Sequence, residues 1–195
     1  MTSHALARWQ STGLANLRQL HLIHRLATGA RRGRRWGTTQ LNRSLFVALV
    51  AQFQSFCRDL HDEAVGVHVT FAAAEQRGMI RALLTQGRKL DVGNPRPGAL
   101  GSDFGRLGFS LVDQLRAAGP ATGTQIETLD RIAEFRNAVS HGNESQVAAL
   151  EASGKIKSTL RSYVEHRKEL EALATTMDRV VADQLAALLN IASPW

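Results

Sequence analysis

Cysteine is almost missing from this chain: Cys57 stands alone among 195 residues. A single thiol forms no intrachain disulfide, and it cannot build a thiolate-rich zinc site within one chain. Proline occurs four times, always outside the strongly periodic segments, and short alternating runs of β-branched residues are almost absent. Both shortages argue against a sheet and for helices, which the abundance of Ala, Leu, Arg and Gln favours independently. No stretch approaches the roughly eighteen uninterrupted apolar residues needed to cross a bilayer, and the N-terminus lacks the apolar run of a signal peptide. The expectation is a cytoplasmic protein with no membrane partner. No Gly-x-x-x-x-Gly-Lys-Ser/Thr phosphate loop occurs, so nucleotide hydrolysis has no footing in the sequence.

What the chain has is positive charge. Twenty-four Lys and Arg face seventeen Asp and Glu, a formal balance of +7. Such a balance attracts polyanions, and nucleic acid is the first candidate partner. Arg31, Arg32, Arg34 and Arg35, with Trp36 at their edge, form a basic, glycine-punctuated stretch. Arginines that grip phosphates beside a ring that stacks a base would make these four residues an RNA-binding element. A solvated linker is the competing reading.

At this length one domain with a substantial core is expected. Residues 4–27 read as a first helix with Leu6, Leu14, Leu17, Leu20 and Leu26 among its apolar positions, weakened locally at Gly13. It leads into the basic linker, so residues 1–37 form an N-terminal helix and linker and residues 38–195 the main helical domain. The recurrence of Leu41, Leu45, Leu49, Phe53, Phe56, Leu60, Ala64 and Val67 at spacings of three and four predicts a second helix over 39–67. A third is expected over 70–89, with Gly78 inside it. Residues 91–98 compose a loop in which Asn94-Pro95 reads as a turn. Ser102 or Asp103 is then placed to cap a helix reaching Ala118. Helices follow over 124–140, 146–152 and 155–190. The predicted architecture is an all-α bundle of five to six helices with a long C-terminal helix.

The helix over 124–140 carries one residue that does not fit. At 100° per residue, Ile126, Leu129, Ile132, Ala133, Phe135 and Val139 share a broad apolar face, and Arg136 falls near its middle. A guanidinium keeps its proton in a protein, so burying it without partners costs several kcal/mol. Asn137 and His141, four apart, stack on one edge of the same helix, within reach of the long Arg136 side chain. Arginine forks onto phosphate and histidine exchanges a proton near neutral pH, so the three suit phosphodiester chemistry. The competing reading gives Arg136 a buried carboxylate partner and leaves His141 as a helix terminator before Gly142.

The run Arg136-Asn137-Ala138-Val139-Ser140-His141 resembles the Arg-x(4 to 6)-His signature of HEPN domains, including the polar residue after the arginine. Its setting, near the end of a helix followed by a short connection and a long final helix, is similar to that family. Segments 44–60 and 101–108 resemble its RiboL-PSP branch, and the likeness spans roughly residues 40–190. It implies metal-independent RNA cleavage without a cofactor, at a composite site where two protomers' motifs face each other. In it His141 assists proton transfer, Arg136 stabilises the transition state and Asn137 orients the phosphate or the histidine. The resemblance also implies a toxin or defence effector, held or triggered by an antitoxin or sensor partner. Gly142-Asn143 stands where many toxin-type members carry x-Tyr, so tyrosine modification there is not implied, and residues 1–37 lie outside the likeness. A non-catalytic helical dimerisation or RNA-binding module is the alternative.

Two further pairs carry less. Cys57 and His61 share a helix face, and His61-Asp62 superficially resembles metal phosphohydrolases, but without further histidines at ligand spacing the pair reads as helix surface and core. His21 and His24 are close enough for one face, with no carboxylate nearby to complete a site.

Overall fold

A computed structural model describes residues 1–29, 36–154 and 156–195. The arginines 31, 32, 34 and 35 lie outside the described residues. The fold is an all-helical bundle, with no strand among the described residues. Among them, too, no helix is long and apolar enough to cross a membrane.

The first expected helix is a continuous run of three pieces: α1 (His4–Arg8), a π-helical turn (Trp9–Gly13) and α2 (Leu14–Thr28). Ser3 caps α1 by accepting the Leu6 N–H at 2.9 Å. The π turn swings Trp9 into the core, edge-on to Phe53 with ring centroids 5.6 Å apart. A Cβ at Gly13 would stand 3.1 Å from the Trp9 ring, so the position has room for little beyond glycine. Leu6, Leu14 and Leu17 are buried as expected, whereas Leu20 and Leu26 are exposed.

Helix α3 (Trp36–Thr70) is the spine. It buries Leu45, Leu49, Phe53, Phe56, Leu60 and Ala64 of the predicted stripe, with Phe46 beside them, while Val67 is half-buried and Leu41 is exposed. The C-terminal α10 (Leu160–Leu189) packs along it; Thr159 caps its start by accepting from Ser162 N at 3.1 Å. Helix α8 (Pro120–Ser140) lies against both. Where the three meet, Phe46 of α3 sits edge-on to Phe135 of α8 at 5.4 Å and to Tyr163 of α10 at 6.1 Å. The Tyr163 hydroxyl donates to the Leu17 carbonyl, fastening α2 to the same centre.

Shorter helices pack around this core: α4 (Arg77–Thr85), α5 (Lys89–Val92), α6 (Pro97–Gly105), α7 (Leu111–Ala117) and α9 (Glu144–Ala152). The expected third helix is thus divided into α4 and α5, with Gly87 in the left-handed conformation between them (φ 67°). Neither Ser102 nor Asp103 starts a helix. Both lie inside α6, which begins at Pro97, where a missing N–H costs nothing. Asp103 does cap, but another helix: its carboxylate accepts the N–H groups of Lys89 and Leu90, at 3.0 and 2.8 Å, at the start of α5.

Candidate functional site

Arg136, Asn137 and His141 all stand at the C-terminal end of α8. That end closes as a Schellman turn. Gly142 N–H bonds the Val139 carbonyl and Asn143 N–H the Ala138 carbonyl, with Gly142 at φ 65°. The turn leaves His141 as the C-cap residue just after the helix, exposed to solvent. Its ring has no hydrogen bond or ion pair to any described residue. Asn143 then caps α9, accepting from Gln146 N, and the next residue, Glu144, takes both of its carboxylate oxygens to the Arg43 guanidinium of α3 at 2.8 and 2.9 Å. The connection after His141 is therefore anchored to the spine.

Arg136 is half-buried rather than sealed in the core. No carboxylate pairs with it among the described residues. Its Nη1 makes a long, 3.4 Å hydrogen bond to Asn137 Oδ1, and its Nε is buried with no partner. The buried ion pair that the competing reading required is not formed among the described residues. An unmatched donor at the edge of the core is costly in a protein and is the kind of group an anion satisfies.

Sequence reasoning missed Asn94. It is 6% exposed, in the loop between α5 and α6, and its Nδ2 donates to the Ala133 carbonyl at 2.9 Å and to Asn137 Oδ1 at 2.6 Å. Asn94 Oδ1 is itself buried without a hydrogen bond. An Asn before Pro gives a turn signal and no hint of a partner on α8, so nothing local in the sequence could have found it. The consequence is chemical. With the Asn137 oxygen engaged by two donors, its NH2 group has no partner among the described residues.

The Asn94 loop is held by a polar cluster that also settles the His61-Asp62 pair. Arg88 donates to Asp62 at 2.5 Å, to both oxygens of Asp91 at 3.1 Å and to His61 Nδ1 at 3.2 Å. Because arginine only donates, His61 Nδ1 accepts, and the ring proton sits on Nε2, which donates to the Asp103 carbonyl at 3.0 Å. Burial pushes the His61 pKa down from 6.5, and the adjacent Arg88 charge adds to this against the opposing pull of the Asp103 carbonyl. The ring is a neutral structural link. Among the described residues no three His, Cys, Asp or Glu side chains are grouped to hold a metal ion. Cys57 is buried in the core, where burial drives its thiol pKa well up.

Beside the site an open groove of about 650 Å³ runs between the α5–α6 loop and the N-terminal half of α8, with Asn94, Ile126 and Asp130 in its lining. Ile126, Asp130, Asn137 and His141 follow one strip of α8, since their spacings return to nearly the same angle. Lys89, Arg96 and Arg116 bring positive charge to this groove; Arg96 is paired with Asp130 at 2.7 Å. No family model, no curated protein and no solved structure matches the chain.

Proposed function

We propose that this chain is a HEPN-type endoribonuclease that cleaves RNA without a metal, through a composite site built by two copies. The reading is supported above all by Arg136: half-buried and, among the described residues, unpaired by any carboxylate, with an orphaned Nε, beside an asparagine whose NH2 and a histidine whose ring have no partner there. These groups match the needs of an attack by the ribose 2′-hydroxyl on the adjacent phosphorus. The O2′–P bond forms, the P–O5′ bond breaks, and the products are a 2′,3′-cyclic phosphate and a 5′-hydroxyl.

Arg136 stabilises the charge that builds on the phosphoryl oxygens, and the Asn137 NH2 orients one of them. One proton leaves the 2′-hydroxyl and one reaches the departing O5′. A single chain offers one histidine at this site, and an exposed His141 at a helix end can meet its symmetry mate, giving one ring for each transfer. The RNA is drawn in by the net positive charge of the chain. A toxin or defence role, regulated by an antitoxin or a sensor, belongs to the same reading.

The test is incubation of the full chain with single-stranded RNA in excess EDTA. Cleavage giving cyclic-phosphate ends is expected, with resistance of DNA and of RNA carrying a 2′-deoxy sugar at the cut position. Arg136→Ala and His141→Ala should each abolish cutting while sedimentation still reports a dimer. RNA bound but never cut by the folded wild-type protein would instead establish the non-catalytic binding module.

A further inference from the structure

Helix α2 is packed on one side only. Leu14, Leu17 and His24 are buried against the bundle, with His21 and Thr28 half-buried beside them. The opposite side holds Leu22 and Ile23, each 57% exposed, and Leu26, 71% exposed, with Leu20 at 40% on the flank. Four of the protein's large exposed apolar side chains thus fall within two turns of one helix, a cluster that the nuclease reading leaves unused.

Their spacing is specific. Ala15, Gln19, Leu22 and Leu26 are separated by four, three and four residues, which is the alternation of d and a positions along a coiled-coil seam. In that register the buried Leu14, Leu17 and His24 fall on c and f, away from the seam. The helix therefore satisfies its own bundle and presents a second interface at the same time. Arg18 and Arg25 both fall on g, flanking the seam, and are exposed with no ion pair among the described residues. Charges at g select a partner by the charges they meet. Along the sequence, residues 1–58 contain nine arginines and no Asp or Glu, the first acid being Asp59.

The geometry points to the outer face of α2 as a docking seam for an acidic amphipathic helix of another protein, with apolar residues at its a and d positions and Asp or Glu beside them. A second copy of this chain brings the same arginines and no acid to answer them. RNA would neutralise the arginines but leave Leu22, Ile23 and Leu26 uncovered, since aliphatic side chains give bases no stacking face. A bilayer surface is favoured by interfacial aromatics, and α2 has none. Gln19 at an a position is a further mark of helix pairing, where one polar seam residue fixes register. This inference stands independently of the chemistry at α8.

The test uses the full chain and two synthetic three-heptad peptides with Leu at a and d, one carrying Glu at e and g, the other Lys. By fluorescence anisotropy the Glu peptide should bind at least about tenfold more tightly than the Lys peptide, and more weakly as salt is added. Leu22→Ser with Leu26→Ser should remove that binding, and Arg18→Glu with Arg25→Glu should reverse the preference. All four positions are exposed, and circular dichroism checks that the variants stay folded. The idea is overturned if the peptides bind equally or not at all, or if the serine variant binds as the wild type does. It is equally overturned if the serine variant instead dissolves a dimer of this chain, or loses binding to phosphatidylserine vesicles that the Glu peptide cannot displace.

Discussion

The Asn94 side chain donates to Asn137 Oδ1 at 2.6 Å, joining residues 43 positions apart in the chain. That bond fixes which way the Asn137 amide faces, and a second donation to the Ala133 carbonyl ties the α5–α6 loop to α8. In the proposed nuclease Asn94 is therefore a positioning residue. Asn94→Ala removes one buried and one partly buried hydrogen bond and is expected to cost roughly 1–3 kcal/mol in denaturant unfolding. RNA cleavage should fall further than stability, by up to about a hundredfold, because a small misplacement of a reactive geometry is expensive. Equal cleavage by the variant and the wild type would remove Asn94 from the site.

Arg136→Met keeps the apolar stem of the side chain and deletes the orphaned Nε. The variant should be more stable than the wild type, by on the order of 1 kcal/mol, and inactive on RNA. A destabilised Met variant would mean that the guanidinium has a structural partner.

Asp103→Ala strips the cap from α5, where a buried carboxylate holds two backbone N–H groups. About 3 kcal/mol of stability should be lost. Asp103→Asn keeps one acceptor and should lose less; the comparison is read from urea midpoints.

Acidification should weaken the fold through His61. Its folded pKa lies below 6.5, so the unfolded ring takes up a proton first as pH falls. The contribution is complete above 6.5 and is lost as pH drops through the lower folded value. His21, whose pKa is also lowered by burial and by Arg167, acts in the same direction. Urea midpoints measured from neutral pH down to about pH 5 should fall, and His61→Gln should flatten that slope.

Gly142→Ala forces an L side chain into φ 65°, in open space with nothing within 4 Å of the added Cβ. The cost is then backbone strain alone, about 1–2 kcal/mol. Because the same turn sets His141 at the helix end, the proposed cleavage should drop while the proposed dimer persists. A loss of stability well above this range would show that the turn is packed against something else.

The sequence by itself determined the helices and their faces, because a period of 3.6 residues is a local property of the chain. The strip carrying Asn137 and His141 and most of the long apolar stripe of α3 were readable in this way, whereas the start of α10 at Leu160, capped by Thr159, was not. Tertiary structure alone decided three things. Arg136 on the helical plot looked buried, yet it is half-buried and pairs with no acid among the described residues, which depends on what the neighbouring helices supply. Asp103 was legible as a capping residue type but not as the cap of α5, since the N–H groups it accepts come from a helix in front of it in the chain. Asn94 gave only a turn signal, and its bond to Asn137 exists because packing brings a loop onto α8. Periodicity and propensity act over a few residues, whereas these contacts form only when distant segments meet.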